Sequence, residues 1–301
     1  MIAPLLAEGA THEVIVVVDG CQDGSVELVE DFASIDPRVI GVYQPHQGAA
    51  AARMTGVRRA TGEIVLLLDD DVEAEAGLVD GHSTRHREQE GLVVVGYMPV
   101  AAMSRRGTQD LATRLYSSAY EQSCRNWDDE PDEILKTLWA GNVSVRRADA
   151  LRIGMQGAAR FAHHEDRDFG LRCRAAGLQG VFDRSLRARH HYERTLAGLV
   201  RDARDHGHDM TLLHLAHPDA LGQLRRDRFT ALLPAPFVRL VAFSGRPRAT
   251  TLVSSGLIGL VQLAGLLRLP RTQERAALVL IRIERQRGAA ELRRRRLEQV
   301  H

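Results

Sequence analysis

The stretch EVIVVVDGCQDGSVELVEDF, residues 13–32, predicts the fold. Its first part is a continuous β-branched run, which is typical of a strand buried in a parallel sheet. The residues from Gly20 to Gly24 favour a turn, and Ser25 can cap the helix that follows. A buried strand that passes through a short turn into a helix is the beginning of a β/α unit.

The same pattern repeats further along the chain. A second strand is predicted over Arg38 to Gln44, a helix from Gln47 to about Gly62, and a third strand over Glu63 to Leu68. Two more strands are predicted, at 91–100 and 142–145, and two more helices, at 111–124 and 165–176. The sequence therefore predicts an α/β fold with a Rossmann-like, mostly parallel sheet.

From about Thr195 the pattern becomes helical, and the prolines that interrupt it are Pro218, Pro234, Pro236 and Pro270. We therefore expect two regions, an α/β domain over residues 1–215 and a helical C-terminal appendage over 216–301. The segment from Thr251 to Leu269 is nearly free of charge and about as long as a membrane span. Its serines, glutamine and three glycines weaken insertion, so a buried or surface-lying helix is favoured over a span. Arginines on both flanks keep open a peripheral contact with anionic lipid at the inner face of the membrane.

Composition excludes several classes of protein. The chain has 301 residues, a formal net charge of +1 and 44% hydrophobic residues, which is too apolar for disorder. Its three cysteines are far apart and show no metal-ligand spacing, and Met1 to Gly9 carries no secretory signal. A reducing, cytoplasmic location is the resulting expectation.

Charge is distributed unevenly along the chain. Residues 1–100 carry 17 acidic and 6 basic side chains, a net of −11, so residues 101–301 carry +12. A basic half can face nucleic acid, anionic lipid or a phosphorylated substrate. Nucleic acid is the weakest of these, because the arginines are spread over helices and only 5% of residues are aromatic.

Acidic residues stand where parallel sheets place their ligands, after the carboxyl ends of strands. Asp19 follows the first strand and can accept hydrogen bonds from a nucleobase or a ribose, or it can simply cap a turn. Asp69, Asp70 and Asp71 follow the third strand. Their mutual repulsion favours a bound divalent cation, with Asp69 and Asp71 on one face of extended chain. A solvated acidic turn is the alternative.

Glu165 and Asp166 begin the amphipathic helix predicted over residues 165–176. One of the two carboxylates can act as a general base at a pocket wall. The alternative is that acidic residues in the first turn only complement the helix dipole.

Taken together, the segments 13–25, 47–72, 141–147 and 165–177 resemble the family 2 glycosyltransferases, inverting enzymes of the GT-A fold. The resemblance covers roughly residues 10–210. It implies a nucleotide-diphosphate sugar as donor, with UDP favoured, a hydroxyl acceptor, and Mn²⁺ or Mg²⁺ as cofactor. Because the Q-x-x-R-W motif of processive members is absent, it also implies a single addition.

The resemblance assigns roles residue by residue. Asp166 would be the catalytic base with Glu165 beside it, and Asp19 would contact the base of the nucleotide. Asp71 would be the direct metal ligand, and Asp69 would contact the ribose or the metal. The remaining assignments are Gly141 and Asn142 near the donor sugar, and His190 or His191 at the metal or diphosphate.

The resemblance also exposes a departure. Family members begin with a strand and a helix that precede the equivalent of Val14 to Val18, and Met1 to Thr11 is too short to supply both. Either the true start lies upstream of Met1, or the chain is impaired. A degenerate, non-catalytic member that binds nucleotide sugar or serves as a scaffold is therefore the alternative function.

Overall fold

The structure is a computed structural model that describes residues 2–8, 12–101, 109–157, 159–221 and 247–299. The chain divides into two compact units. The first contains residues 1–101, 120–160 and 165–191, and the second contains residues 102–119, 161–164 and 192–301.

The first unit holds all of the described strands. In chain order, its elements are α1 (Ile2–Ala7), β1 (Val14–Asp19), α2 (Ser25–Ile35), β2 (Val39–Gln44), α3 (Ala49–Arg59), β3 (Ile64–Leu68), β4 (Val72–Ala74), α4 (Leu78–Glu88), β5 (Leu92–Tyr97), β6 (Asn142–Arg146), α6 (Arg147–Ile153), α7 (Glu165–Ala175) and β7 (Gln179–His190). Helix α5 (Gln109–Asp129) begins in the second unit and ends in the first.

These strands form two separate sheets. β1 and β2 pair in parallel as a two-stranded sheet, from Val14 opposite Val39 to Asp19 opposite Gln44. The other five strands form a sheet in the order β3-β6-β5-β7-β4. Within the described residues β1 pairs only with β2 and β3 only with β6, so each has one open edge.

The α/β fold expected from the sequence is confirmed, and strand direction differs from the expectation. Two of the pairings are parallel, β1 with β2 and β5 with β7. The other three are antiparallel, because β6 runs opposite to both β3 and β5, and β4 runs opposite to β7. Hydrophobic runs reveal that a strand is buried, but they carry no information about its direction.

The core of the five-stranded sheet is strongly apolar. β5 contributes a run of four valine and leucine side chains at 0–2% exposure, Leu92 to Val95, and the aromatic rings of Tyr120, Trp127 and Phe169 are fully buried. Burying this much aliphatic and aromatic surface is the main stabilising contribution to such a sheet. The result is a rigid support for the loops at its edge.

The second unit is helical in its described part. It contains α8 (Leu196–Ala216), α9 (Pro218–Leu221), α10 (Pro247–Leu266) and α11 (Pro270–Gln299), together with the start of α5. Helix breaks are observed at Pro218 and Pro270, whereas those predicted at Pro234 and Pro236 lie outside the described residues. None of the helices in the described ranges combines the length and apolarity needed to cross a bilayer.

Two glycines bring α8 and α11 into close contact. A Cβ at Gly207 would overlap the backbone carbonyl of Arg285, and a Cβ at Gly288 would overlap that of Arg204. We expect Gly207→Ala to lower the free energy of unfolding by about 1 to 3 kcal/mol, the usual cost of overpacking a tight contact. Gly259→Ala in α10 is the matched control, because no atom lies within 4 Å of its Cβ position and alanine favours a helix. Urea unfolding followed by circular dichroism measures both, and equal stability of the two variants would contradict the close contact.

Candidate active site

The three consecutive aspartates lie in a turn between β3 and β4. The N–H of Val72 donates to the carbonyl of Asp69 at 3.1 Å, and the N–H of Asp69 donates to the carbonyl of Gly141 at 3.3 Å. The expectation that Asp69 and Asp71 share a face of extended chain is wrong, because the chain turns here and their carboxylates contact different partners. Partial desolvation and the charges of Asp71 and Asp69 raise the pKa of Asp70.

Arg53 of α3 joins two of the acidic motifs. One guanidinium nitrogen donates to Oδ1 of Asp69 at 2.7 Å, and another donates to Oε1 of Glu165 at 3.3 Å. Its side chain is 17% exposed. Burial lowers the pKa of Arg53, but the charges of Asp69 and Glu165 outweigh burial and hold it above its ordinary value. The guanidinium therefore stays charged between two carboxylates that are distant in sequence.

Asp166 lies at the start of α7, beside Glu165. Burial, and next the negative charge of Glu165, raise the pKa of Asp166 to about 7, although the nearby Arg53 acts in the opposite direction. One oxygen of Glu165, Oε2, is buried and has no hydrogen-bond partner among the described residues. A carboxyl whose pKa lies near neutrality is suited to take up and release a proton at physiological pH.

Asp71 lies beside His190, the last residue of β7. Oδ2 of Asp71 is 3.2 Å from Nε2 of His190. The next residue, His191, pairs instead with Glu73, whose Oε2 lies 2.9 Å from Nε2 of His191. The structure thus separates the two predicted histidines, and His190 is the one that lies with Asp71.

These side chains fit a cation that is shared with a diphosphate. In the described ranges no group of three or more histidine, cysteine, aspartate or glutamate side chains is arranged to hold a metal ion alone. Mg²⁺ is usually bound through one or two carboxylates, with substrate phosphates and water completing its ligands. Asp71 and His190 offer an oxygen and a nitrogen for this arrangement, while Asp69 is neutralised by Arg53.

The Asp19 carboxylate holds the start of α3. Its oxygens accept from Nε2 of Gln44 and from the backbone N–H groups of Gln47 and Gly48, all at 2.7 to 2.8 Å. Burial raises the pKa of Asp19, but these hydrogen bonds outweigh burial and leave it below its ordinary value. His46, whose ring lies 3.0 Å from Oδ2, is largely exposed. It is therefore the partner most easily replaced by a nucleotide, and the predicted contact with the base stays a prediction.

Gly141 and Asn142 lie in different surroundings. A Cβ at Gly141 would be 3.0 Å from Oδ2 of Asp69 and closer still to the sulfur of Met98, so a larger residue here would have to displace these side chains. The Asn142 side chain is buried, accepts from Nε2 of His82 at 2.9 Å and donates to the carbonyl of Leu186 at 3.1 Å. Its predicted place near the donor sugar stays a prediction, and its observed contacts join β6 to α4 and β7.

Two side chains in this region were not predicted from the sequence. Arg53 is the first residue of α3 with a side chain longer than a methyl group, after Ala49 to Ala52, and that isolation was the available signal. His82 supports Asn142 from behind the sheet, and burial lowers its pKa to about 4, so it is neutral. A buried histidine on a helix gives no signal of this kind in sequence alone.

Comparison with known proteins finds a family that the first part of the chain resembles. Residues 2–140 match the sequence profile described as Glycosyl transferase family 2. The uncharacterized glycosyltransferase YfnE of Bacillus subtilis is 34% identical over 84 residues, which cover 28% of this chain and 21% of that protein. Glucosyl-dolichyl phosphate glucuronosyltransferase of Haloferax volcanii is 25% identical over 144 residues, which cover 47% and 45%. The matches therefore span less than half the length of these relatives.

A solved structure is similar over most of the fold. It is the mannosyltransferase PcManGT from Pyrobaculum calidifontis, in complex with GDP-Man and Mn²⁺. The TM-score is 0.53 at 17% identity, and the match covers 94% of this chain and 80% of that one. At this identity the likeness establishes the fold.

Proposed function

We propose that this chain, whose residues 2–140 match glycosyl transferase family 2 and whose fold is of the GT-A class, transfers a sugar from a nucleotide-diphosphate sugar to a hydroxyl acceptor with inversion. The observation that carries the proposal is the ion pair of Arg53 with both Asp69 and Glu165. It brings the aspartate turn after β3 and the acidic start of α7 into one site. The site therefore combines the side chains expected for binding a diphosphate with those expected for accepting a proton.

Asp166 is proposed as the general base. Because its pKa is raised to about 7, its ionised form is basic enough to take the proton of an attacking hydroxyl. Glu165, held by Arg53, contributes negative charge beside it. A base on the face of the sugar opposite to the leaving group gives inversion, as in inverting glycosidases.

The leaving diphosphate is proposed to bind at the aspartate turn, on the side of Arg53 that pairs with Asp69 rather than with Glu165. Asp71 and His190 would hold Mn²⁺ or Mg²⁺, which when bound stabilises the negative charge that develops on the departing diphosphate. Gly141 allows the backbone to approach the aspartate turn closely. Asp19, which ends β1 and accepts hydrogen bonds from the loop that precedes α3, is proposed to face the nucleotide.

Several finer predictions belong to the same proposal. We expect single rather than repeated addition and a cytoplasmic reaction. The preference for UDP rests on the family resemblance, whereas the mannosyltransferase of similar fold holds GDP-mannose. Tests of binding should therefore include both nucleotides.

Nucleotide binding is expected to depend on a divalent cation. We expect UDP or GDP to bind at least about tenfold more weakly in EDTA than in Mn²⁺, because the carboxylate of Asp71 repels a diphosphate that carries no cation. Isothermal titration calorimetry measures both affinities. Equal affinity in EDTA and in Mn²⁺ would overturn the assignment of Asp71 and His190.

The chain supplies a matched control for this experiment. Asp71→Asn is expected to abolish the effect of Mn²⁺, whereas Glu73→Gln should preserve it. Glu73 and His191 form a neighbouring carboxylate–histidine pair, in which Glu73 is two residues after Asp71 and the histidine, 44% exposed, is far less buried than His190. If Glu73→Gln alone abolished the effect, the cation would belong to the neighbouring pair.

The strands form two separate sheets, and this favours one alternative function, that of a non-catalytic protein that binds nucleotide sugar. β1, which carries Asp19, shares no hydrogen bonds with the described strand β3, which leads to the aspartate turn. Such a protein would bind nucleotide in the presence of Mn²⁺ and neither transfer nor hydrolyse the donor sugar. Donor hydrolysis, measured by release of nucleoside diphosphate, separates the two functions.

A further inference from the structure

Helix α10 has an apolar side chain on nearly every face. One face, formed by Leu257, Val261 and Ala264, is buried in the core of the second unit, against α11 and the start of α5. The opposite face is exposed and carries four leucines, Leu252, Leu260, Leu263 and Leu266, at 37–80% exposure. A helix that is hydrophobic all round is normally buried on all sides, in a protein core or in lipid.

The exposed leucines continue past the end of the helix. Leu267 and Leu269 are 60% and 48% exposed. Of the large hydrophobic side chains exposed in the described residues, more than half therefore fall within residues 252–269. Concentration of this kind in one segment, rather than scattered single residues, marks an interaction surface.

The stretch of sequence that contains this surface carries charge of one sign. From residue 228 to residue 273 the sequence has no aspartate, glutamate or lysine, and its charged residues are Arg228, Arg239, Arg246, Arg248, Arg268 and Arg271. Arg268, which follows α10, and Arg271, in the first turn of α11, are exposed. A leucine face with arginines beyond both ends of the helix matches the acyl and headgroup layers of an anionic bilayer.

The backbone at Arg268 adds an independent observation. Its φ is 55°, in the left-handed region that ends many helices and that glycine usually occupies. The N–H of Leu269 closes this turn by donating to the carbonyl of Ala264 at 2.8 Å. An arginine that keeps a conformation suited to glycine points to a role for its side chain.

We propose that the exposed leucine face of α10, with Arg268 and Arg271, binds the surface of an anionic lipid bilayer. The helix lies in the plane of the headgroups and inserts its leucines between acyl chains, while the arginines contact lipid phosphates. This inference goes beyond the proposed function and does not depend on it. The sequence alone allows a peripheral lipid contact for this segment, and the inference names the residues that would make it.

The charges near α10 argue against a second copy of the chain as the partner that covers the exposed leucine face. Arginines stand in the sequence at both ends of α10, and the next acidic residues are Asp227 and Glu274. Parallel or antiparallel pairing of two such helices would therefore place arginine near arginine. Like charges across an interface are unfavourable.

Co-sedimentation of the full chain with vesicles tests the proposal. We expect binding to vesicles of phosphatidylglycerol and phosphatidylcholine, and at least about tenfold weaker binding to phosphatidylcholine alone, because each basic residue near an anionic surface contributes about fivefold. The triple variant Leu263→Gln, Leu266→Gln, Leu267→Gln should weaken binding to the mixed vesicles by at least about tenfold. The matched control replaces Leu28, Ile35 and Leu215 by Gln, three exposed aliphatic residues elsewhere, and should bind as the parent does.

Arg268→Gly separates a role in binding from a role in folding. Glycine relieves the left-handed backbone, so this variant should melt at a higher temperature than the parent and still bind mixed vesicles about fivefold more weakly. Unchanged binding by the leucine variant would overturn the proposal. So would a parent that is dimeric by light scattering and becomes monomeric in the leucine variant, since that result makes a second copy the occupant.

Discussion

Asp166→Asn is expected to lower the rate of sugar transfer by about 100-fold or more while leaving nucleotide affinity within about twofold. The amide has nearly the shape of the carboxylate but cannot accept the proton of the acceptor hydroxyl, and loss of a general base usually costs this much. Transfer, or donor hydrolysis where no acceptor is known, gives the rate. Calorimetry with nucleoside diphosphate and Mn²⁺ gives the affinity.

The neighbouring carboxylate is the control for this variant. Glu165→Gln keeps a hydrogen bond with Arg53 and should retain more activity than Asp166→Asn. In the parent, kcat/KM should rise with pH through about 7, because Asp166 must be ionised to act, and this rise should be absent from the residual activity of Asp166→Asn. An active Asp166→Asn beside an inactive Glu165→Gln would show that the base had been assigned to the wrong carboxylate.

Arg53→Met is expected to lower the free energy of unfolding by about 2 to 3 kcal/mol at pH 8. Removing one partner of a buried ion pair leaves the other charge uncompensated, and here two carboxylates lose the same partner. Asp69 is 37% exposed, so solvent reduces the cost. The free energy of unfolding of a whole domain is only about 5 to 15 kcal/mol, so this loss would be a large part of it.

The pH dependence of this loss has a definite sign. Asp166 binds a proton below its pKa of about 7, which removes one negative charge from the site, so Arg53→Met should be less damaging at pH 5 than at pH 8. Arg58→Met is the control, since Arg58 is an exposed residue of the same helix. Urea denaturation at the two pH values measures both variants. A loss for Arg53→Met no greater than that for Arg58→Met would mean that the ion pair contributes nothing measurable.

The sequence predicts the strands and helices that an apolar run or a helix-end residue marks clearly. It misses the elements that carry no such mark. β1, β3 and α7 lie within a residue or two of their predicted bounds, because apolar runs and helix-end residues mark them. β7 was not predicted, since its sequence is rich in arginine. Its signal is the alternation of buried Leu186, Ala188 and His190 with exposed arginines, a pattern of period two that is easily taken for a charged loop.

The candidate site shows the same limit. The acidic residues could be found because they follow apolar strands or begin a helix, where ligands are commonly placed. Which partner each carboxylate contacts depends on how separate elements pack, and no local pattern reveals that Arg53 lies between Asp69 and Glu165. The separation of His190 from His191 is set by the alternation of side chains along β7, which places the two rings on opposite faces.

Because β1 and β2 form a sheet of their own, they are expected to be less stable locally than the larger sheet. A two-stranded sheet is held by one ladder of hydrogen bonds, so β1 and β2 can open locally at a lower free energy than the five-stranded sheet, whose central strands are paired on both sides. Asp19 lies at the end of a strand of the small sheet, whereas Asp71 lies in the turn between two strands of the large sheet and Asp166 in α7. We therefore expect the part of the site assigned to the nucleotide base to fluctuate more than the part assigned to the chemistry, with α3, which contacts both, as the link between them. Nucleotide binding at Asp19, as proposed above, would have to suppress that fluctuation, which would lower the apparent affinity in proportion to the binding-competent population.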